Sequence, residues 1–169
     1  PEDGPYKIGI SDSKRHGGDN FAYRLKVSHV MPDYKLRFSP SSINVLPGGV
    51  TPINVHVMRK DGFSGEIKIN LLKSAGLKLT GGIIPENTDR ISMTLTASGL
   101  TNHGSNDVLI EGRAIINGKH VSRVASPADE IMQAFLFQHL VPAQKGMLQV
   151  VDQKWRVPVF EVLSNTPVV

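Results

Sequence analysis

The chain has no cysteine among its 169 residues, which removes thiol catalysis, thiolate metal sites and disulfide staples together. It leaves the compartment open, because many exported bacterial proteins also lack cysteine. Aromatic side chains are few, with six Phe, three Tyr and one Trp, and most of them are needed for packing. No segment approaches the ~18 consecutive apolar residues of a spanning helix, so membrane insertion is not expected. A basic-then-apolar leader is also missing. The chain opens on Pro1-Glu2-Asp3-Gly4-Pro5 without an initiator Met and reads as a mature or excised fragment, from which a signal sequence could have been lost upstream. There is no repeat of fixed period and no low-complexity tract.

One-signed charge is scarce too. Nineteen Lys and Arg against fifteen Asp and Glu give a net charge of +4, but the charges are scattered. The densest basic cluster, Lys14-Arg15-His16, sits in a turn-rich stretch and is far too short to track a phosphate backbone. A nucleic-acid partner is therefore not expected. At this length the chain can bury a real core without staples.

What is present is a period-two pattern. Ile53, Val55 and Val57 fall on one side of a segment and Asn54, His56 and Met58 on the other. The same alternation runs through Ile67-Ile69-Leu71 and Ile91-Met93-Leu95. Short alternating runs separated by Gly, Pro and Asn turns predict an all-β sandwich. Further strands are predicted at 34–38, 43–45, 66–72, 90–97, 147–152 and 156–163. Asn117-Gly118 is the strongest turn signal, because both central residues of a type I′ turn need positive φ, and it predicts a hairpin over 107–124. Gly48, Gly62 and Gly65 are expected to serve turns, and Phe38, Phe63 and Leu95 the core.

At the N-terminus, Tyr6-Ile8-Ile10 and Phe21-Tyr23-Leu25-Val27 alternate in the same way around the turn chemistry of 12–20, which predicts a hairpin with a long connection. A lone hairpin is marginal in water, so it must pack on something. Met31-Pro32 marks a boundary. The stretch 128–140 reads either as a short helix capped by Ser126 with Pro127 in its first turn or as buried strand, with the β-rich surroundings favouring strand.

Candidate chemistry is thin. His16, His29, His56, His103, His120 and His139 stand far apart, without metal-ligand spacing. His56 and His120 are expected to point to solvent. Asp12, Asp19 and Asn20 share an oxygen-rich turn that could hold Ca²⁺, but the same groups serve equally to cap their own backbone. No G-x-S-x-G is present, and Gly62-Phe63-Ser64-Gly65 falls one residue short of it. A hydrolase would need Ser64 or Asp129 beside a His in a cleft. Asp129-Glu130 is the one adjacent acidic pair in the second half. Gly17-Gly18 and Gly81-Gly82 precede strand-like sequence rather than the helix a phosphate loop requires. No catalytic, cofactor or metal residue is thus predicted. Trp155 and Tyr34 are the candidates for stacking on a sugar.

A resemblance can be placed on these residues. Tyr6-x-Ile8, Asp12-x-x-x-His16-Gly17-Gly18, Tyr23-Arg24-Leu25, Pro32-Asp33-Tyr34-x-Leu36, Arg59-x-Asp61-Gly62-Phe63-x-Gly65-Glu66-Ile67, Glu111-Gly112-x-Ala114 and Arg123-x-Ala125-x-Pro127 together resemble the region that follows or ends a bacterial pre-peptidase C-terminal (PPC) domain in large exported planctomycete-type proteins. The resemblance implies terminal strands of a PPC-like jelly roll over 1–31 and an immunoglobulin-like sandwich over 32–126. The C-terminal strands of 127–169 would pair with 1–31. It further implies a non-catalytic accessory module, extracellular, periplasmic or on the cell surface. Its partners would be neighbouring domains of the same polypeptide, or a cell-surface protein or polysaccharide. The alternative is a carbohydrate-binding module of a secreted enzyme.

Overall fold

The fold is known from a computed structural model, which describes residues 3–73, 76–99, 104–135 and 137–151. Two compact units divide at Val30 and Met31. In the first, residues 3–30 form no strand. Its organised part is the turn after Ile10, where Asp12 Oδ2 accepts from the backbone N–H groups of Lys14 and His16 at 3.0 and 3.2 Å. This Asx-type capping is the backbone role that competed with Ca²⁺ binding. The hairpin predicted over 6–27 is therefore not formed. The reason is visible in the exposure of its apolar side chains, from 51% at Ile10 to 75% at Val27: no layer in this unit covers them.

The second unit is an all-β sandwich. Its strands are β1 (Asp33–Ser39), β2 (Ser42–Val45), β3 (Val50–Lys60), β4 (Ile67–Leu71), β5 (Leu77–Thr80), β6 (Ile83–Ile84) and β7 (Arg90–Ala97). They continue with β8 (Gly104–Asp107), β9 (Ile110–Ile116), β10 (Lys119–Val124), β11 (Ser126–Gln133), β12 (Phe137–Pro142) and β13 (Met147–Val150). One sheet has the order β12-β11-β1-β3-β7-β5, and facing residues come from β10-β9-β4-β6 and β2-β13-β8. Alternation drives the assembly: Ile53 and Val55 of β3 are fully buried and Val57 nearly so, while Asn54, His56 and Met58 face outward. Phe38, Phe63 and Leu95 join the same core.

Tyr34 lies at its centre, fully buried. Its hydroxyl reaches the carbonyls of Gly112 at 2.7 Å and Val121 at 2.9 Å, and its ring stacks on Phe63 with centroids 5.3 Å apart. Burial pushes the hydroxyl pKa up to about 12. Gly112 itself tolerates no side chain, because a Cβ there would run into Leu36 Cδ1 and come within 2.9 Å of Ile67 Cγ2. The turn at Asn117-Gly118 has φ of 49° and 75°, as the type I′ signal required. The Arg59–Gly65 turn instead places its positive φ at Asp61 and Gly62; Gly65 packs beside the Phe63 ring.

The last third departs most from expectation. Residues 128–140 are neither one helix nor one strand but the hairpin of β11 and β12, closed by Phe135 at a φ of 63°. The strands expected to pair with 1–31 find their partners inside the sandwich. β11 runs parallel to β1, and β13 runs parallel to β2 and antiparallel to β8. The predicted strand at 156–163 lies outside the described residues.

Backbone hydrogen bonds show how the hairpin is built in. Ala125 N–H donates to Ile110 O at 2.8 Å, and Val108 N–H donates to Gly146 O at 2.9 Å. Val108 and Ile110 share one side of their strand, by the period of two, so residues 125 and 146 sit at successive positions alongside them. β10 and β13 are thus two halves of one strand course, and 126–145 are an excursion between them.

Candidate functional site

The densest polar cluster forms where this excursion meets the outer face of the larger sheet. Cross-strand register places Ser39, Asn54 and Ser92 in one row and Arg37, His56 and Arg90 in the next. Glu130 of β11 reaches over both. Its Oε1 accepts from Ser39 Oγ at 2.7 Å, Asn54 Nδ2 at 3.2 Å, His56 Nε2 at 3.2 Å and Arg90 Nη2 at 3.4 Å. Beside it, Asp129 accepts from the Ser41 backbone N–H and hydroxyl at 3.0 and 2.9 Å. Arg37 closes the far side by donating to Leu140 O at 2.8 Å. A shallow depression of about 260 Å³ lies between Ser39, Pro40, Asn54, Asp129 and Glu130.

The electrostatics follow from this geometry. The Ser39 hydroxyl is the main reason the Glu130 carboxyl titrates below its ordinary range, aided by the Arg90 and His56 charges and Asn54, and opposed by burial. Burial holds the His56 imidazole below its usual value, and the Arg90 and Arg37 cations push the same way against the attraction of Glu130.

A serine, a histidine and a carboxylate have come together, so the chemistry must be weighed. In a nucleophilic triad the imidazole stands between its partners, one on each nitrogen, and relays the proton. Here Ser39 Oγ lies 3.1 Å from His56 Nε2, the same atom that meets Glu130, and the hydroxyl gives its proton directly to the carboxylate. Ser39 is 2% exposed, and its hydroxyl hydrogen is already engaged by Glu130. The arrangement converges on one carboxylate oxygen and ties β11 to β1, β3 and β7. It is a clasp.

Of the residues singled out from sequence, the structure brings His56, Asp129 and Glu130 into this cluster and leaves Ser64 outside it. Ser64 O accepts from Asn87 N–H, and Asp129 binds Ser41. His56 is half-buried under Glu130 instead of pointing freely to solvent, and it lies in a different sheet from His120. Tyr34, a candidate sugar platform, is buried beneath the sheet, and Trp155 lies outside the described residues. No group of three or more His, Cys, Asp or Glu suited to a metal occurs among the described residues. Sequence reasoning missed Ser39, Asn54 and Arg90 altogether. Their signal was the outward phase of three adjacent strands, and it becomes a site only when register is known.

A second concavity, about 560 Å³, lies on the outer face of β4, β9 and β10 among Glu66, Lys68, Glu86, Arg113, Ile115 and His120. Lys68 and Arg113 are direct cross-strand partners, and Glu111 offsets the charge by accepting from Arg113 Nε at 2.7 Å. Its lining mixes both signs and includes no Phe, Tyr or Trp.

No protein-family model matches the chain, and a search of curated proteins finds no match. Among solved structures the chain is similar to domains 4 and 5 of the S-layer protein SbsC, at 14% identity and a TM-score of 0.36, over 56% of this chain and 52% of that one. It is also similar to domains 1–6 of the surface layer protein SbsC, at 11% identity and a TM-score of 0.34, over 72% of this chain and 18% of that one. The chain therefore spans about half of the first structure and less than a fifth of the second.

Proposed function

We propose that this protein is a non-catalytic sandwich module of an exported bacterial protein, which spaces neighbouring domains and carries tension between them. The observation that supports this most is the parallel pairing of β2 with β13, with Ser42 opposite Met147 and Val45 opposite Val150. The start of β2 and the end of β13 lie at opposite ends of that pair. Tension entering before β1 and leaving after β13 falls first on β1, paired to β3 and β11, and then pulls β2 and β13 past each other, so that the hydrogen bonds of that pair must yield together. Met147 N–H to Ser41 O at 2.8 Å and Val151 N–H to Val45 O at 3.0 Å bracket the set. An antiparallel pair loaded through the corresponding ends would instead open one bond at a time.

The clasp at Glu130 supports the same reading, because it holds the excursion to the sheet through side chains on three strands. Placement outside the cell and neighbours in a longer polypeptide follow from the resemblance to PPC-associated regions, and belong to the proposal.

Force spectroscopy tests it. The chain has no native cysteine, so handles can be attached at introduced ones. Attachment at Met31→Cys and Val151→Cys loads the β2–β13 pair in shear, whereas Pro47→Cys and Val151→Cys peel it from one end. The first pair should unfold the sandwich at clearly higher force, since forced unfolding reports the unfolding barrier. Equal or lower force through the first pair removes the reading.

A further inference from the structure

The excursion that splits the final strand course adds nothing the sandwich needs to close, since β10 and β13 already flank β9 and β8. What it adds is a new sheet edge. β12 ends the six-stranded sheet, and β11 is its one strand partner among the described residues. Ile131, Met132, Phe137 and Val141 on this hairpin are 49%, 62%, 71% and 43% exposed, and Phe135 at the turn is 92% exposed. A positive φ at a bulky non-glycine residue is costly, and here it presents the ring to solvent.

The opposite edge of the same sheet is guarded. β5 has four residues, and its exposed positions carry Lys78 and Thr80. Shortness and an edge lysine are the devices by which proteins keep sheet edges from pairing with other chains. The β12 edge is six residues long and carries no lysine, and its one such device is Pro142 at its end. From Ile131 to Gln144 the chain contains no Asp, Glu, Lys or Arg.

We propose that the β12 edge is a homotypic docking surface, which pairs antiparallel with β12 of a second copy and continues the six-stranded sheet across a two-fold axis. Three observations select this occupant. An uncharged strand can face itself without placing like charges opposite one another, the arrangement that destabilises cross-strand pairs. A two-fold interface must also be self-complementary, which a strand free of Asp, Glu, Lys and Arg allows. A lipid surface is disfavoured, because an open edge in hydrocarbon leaves backbone N–H and C=O groups unpaired. Meanwhile Arg37 to Leu140 O, Ala143 N–H to Pro127 O at 2.8 Å and the Glu130 clasp hold the hairpin base in place, so the edge is presented ready-made. Six residues a side make a small interface, at the weak, transient end of the size range, so self-association is sought between about 1 and 100 µM. The proposal goes beyond the tension-bearing reading and stands or falls separately from it.

Sedimentation of the full chain across that concentration range should show a monomer–dimer equilibrium. Phe137→Lys places a charge on an exposed edge residue and should weaken dimerisation at least about tenfold, while circular dichroism and melting temperature stay unchanged. Gln138→Cys, His139→Cys and Val141→Cys, oxidised singly, should form disulfide dimers most readily nearest the axis. There, opposed Cα atoms of a non-hydrogen-bonded pair, about 4.5 Å apart, lie within disulfide reach. Lys78→Cys on β5 should not cross-link. A chain that stays monomeric throughout overturns the proposal, as does a dimer indifferent to Phe137→Lys or one cross-linked only at position 78. Co-sedimentation with phosphatidylcholine vesicles without self-association would make lipid the occupant and overturn it equally.

Discussion

Two stretches of this chain carry the same pattern and meet opposite fates. Ile53, Val55 and Val57 alternate with polar residues on β3 and are 0%, 0% and 6% exposed; Tyr6, Ile8 and Ile10 alternate likewise and are 70%, 62% and 51% exposed. β3 is paired to β1 over 54–60 and to β7 over 50–56. Residues 3–30 form no strand. Period two thus describes a face in search of a covering layer, and the layer decides whether a strand forms. Local propensity adds little to this, since the apolar residues concerned are β-branched or aromatic in both stretches.

The comparison breaks most sharply at single side chains. Ile53→Ala removes buried methylenes from the centre of the core and should lower the stability of the sandwich by about 2–5 kcal/mol in urea or thermal unfolding. Ile8→Ala, in a residue already open to water, should change it by less than about 0.5 kcal/mol. Equal costs at the two positions would mean that residues 3–30 are packed in solution as the body is, and the contrast would dissolve.

Tyrosines sharpen the same contrast at lower amplitude. Tyr34→Phe leaves the Gly112 and Val121 carbonyls without the hydroxyl they share, and an unmet buried acceptor costs about 1–3 kcal/mol. The ring still fills its place against Phe63, so the loss should appear as a lower unfolding midpoint with an unchanged fold. Tyr23→Phe, at a side chain 74% exposed, should be silent. A neutral Tyr34→Phe would show that solvent reaches those two carbonyls.

Much of the body was legible in the sequence. Strands at 34–38, 43–45, 52–58, 66–72 and 90–97, the Asn117-Gly118 turn and the buried Phe38, Phe63 and Leu95 follow from alternation and turn chemistry, which act over a few residues. The misses all depend on distant partners. Tyr34 looked like an exposed platform because nothing local says that Gly112 and Val121 offer it acceptors. Residues 128–140 were ambiguous because a short apolar run fits helix or strand alike, and the positive φ at Phe135 has no sequence marker. The clasp was only half marked: Asp129-Glu130 and His56 stood out as residues, but Ser39, His56, Arg90 and Glu130 come from four strands, and register alone brings them together.

The smallest expected effect concerns acid, and it separates the clasped excursion from the unclasped N-terminal stretch. Glu130 titrates below its ordinary value in the fold; its stabilising contribution is present above the unfolded value near 4.5 and is lost as pH falls through the lower folded value. His56 is also held below its ordinary value near 6.5. The fold therefore favours the neutral imidazole, and stability begins to fall once pH drops below 6.5 and levels off beneath the folded value. Both groups loosen the excursion on acidification, in two adjoining windows. Asp33, held low by the Arg123 guanidinium, titrates in the lower window as well, so wild type alone does not isolate Glu130. Comparison with Glu130→Gln does, since that variant should lack part of the lower step while retaining the one near 6.5, and His56→Gln should do the reverse. With Glu130 and His56 about a quarter and a fifth exposed, each step should be about 0.2–1 kcal/mol. Amide exchange of β11 and β12 should rise with it, beyond the intrinsic pH dependence of exchange, while the exchange pattern of 3–30 is unaffected. Acid that loosens both stretches equally would show that Glu130 is not what holds the excursion to the sheet.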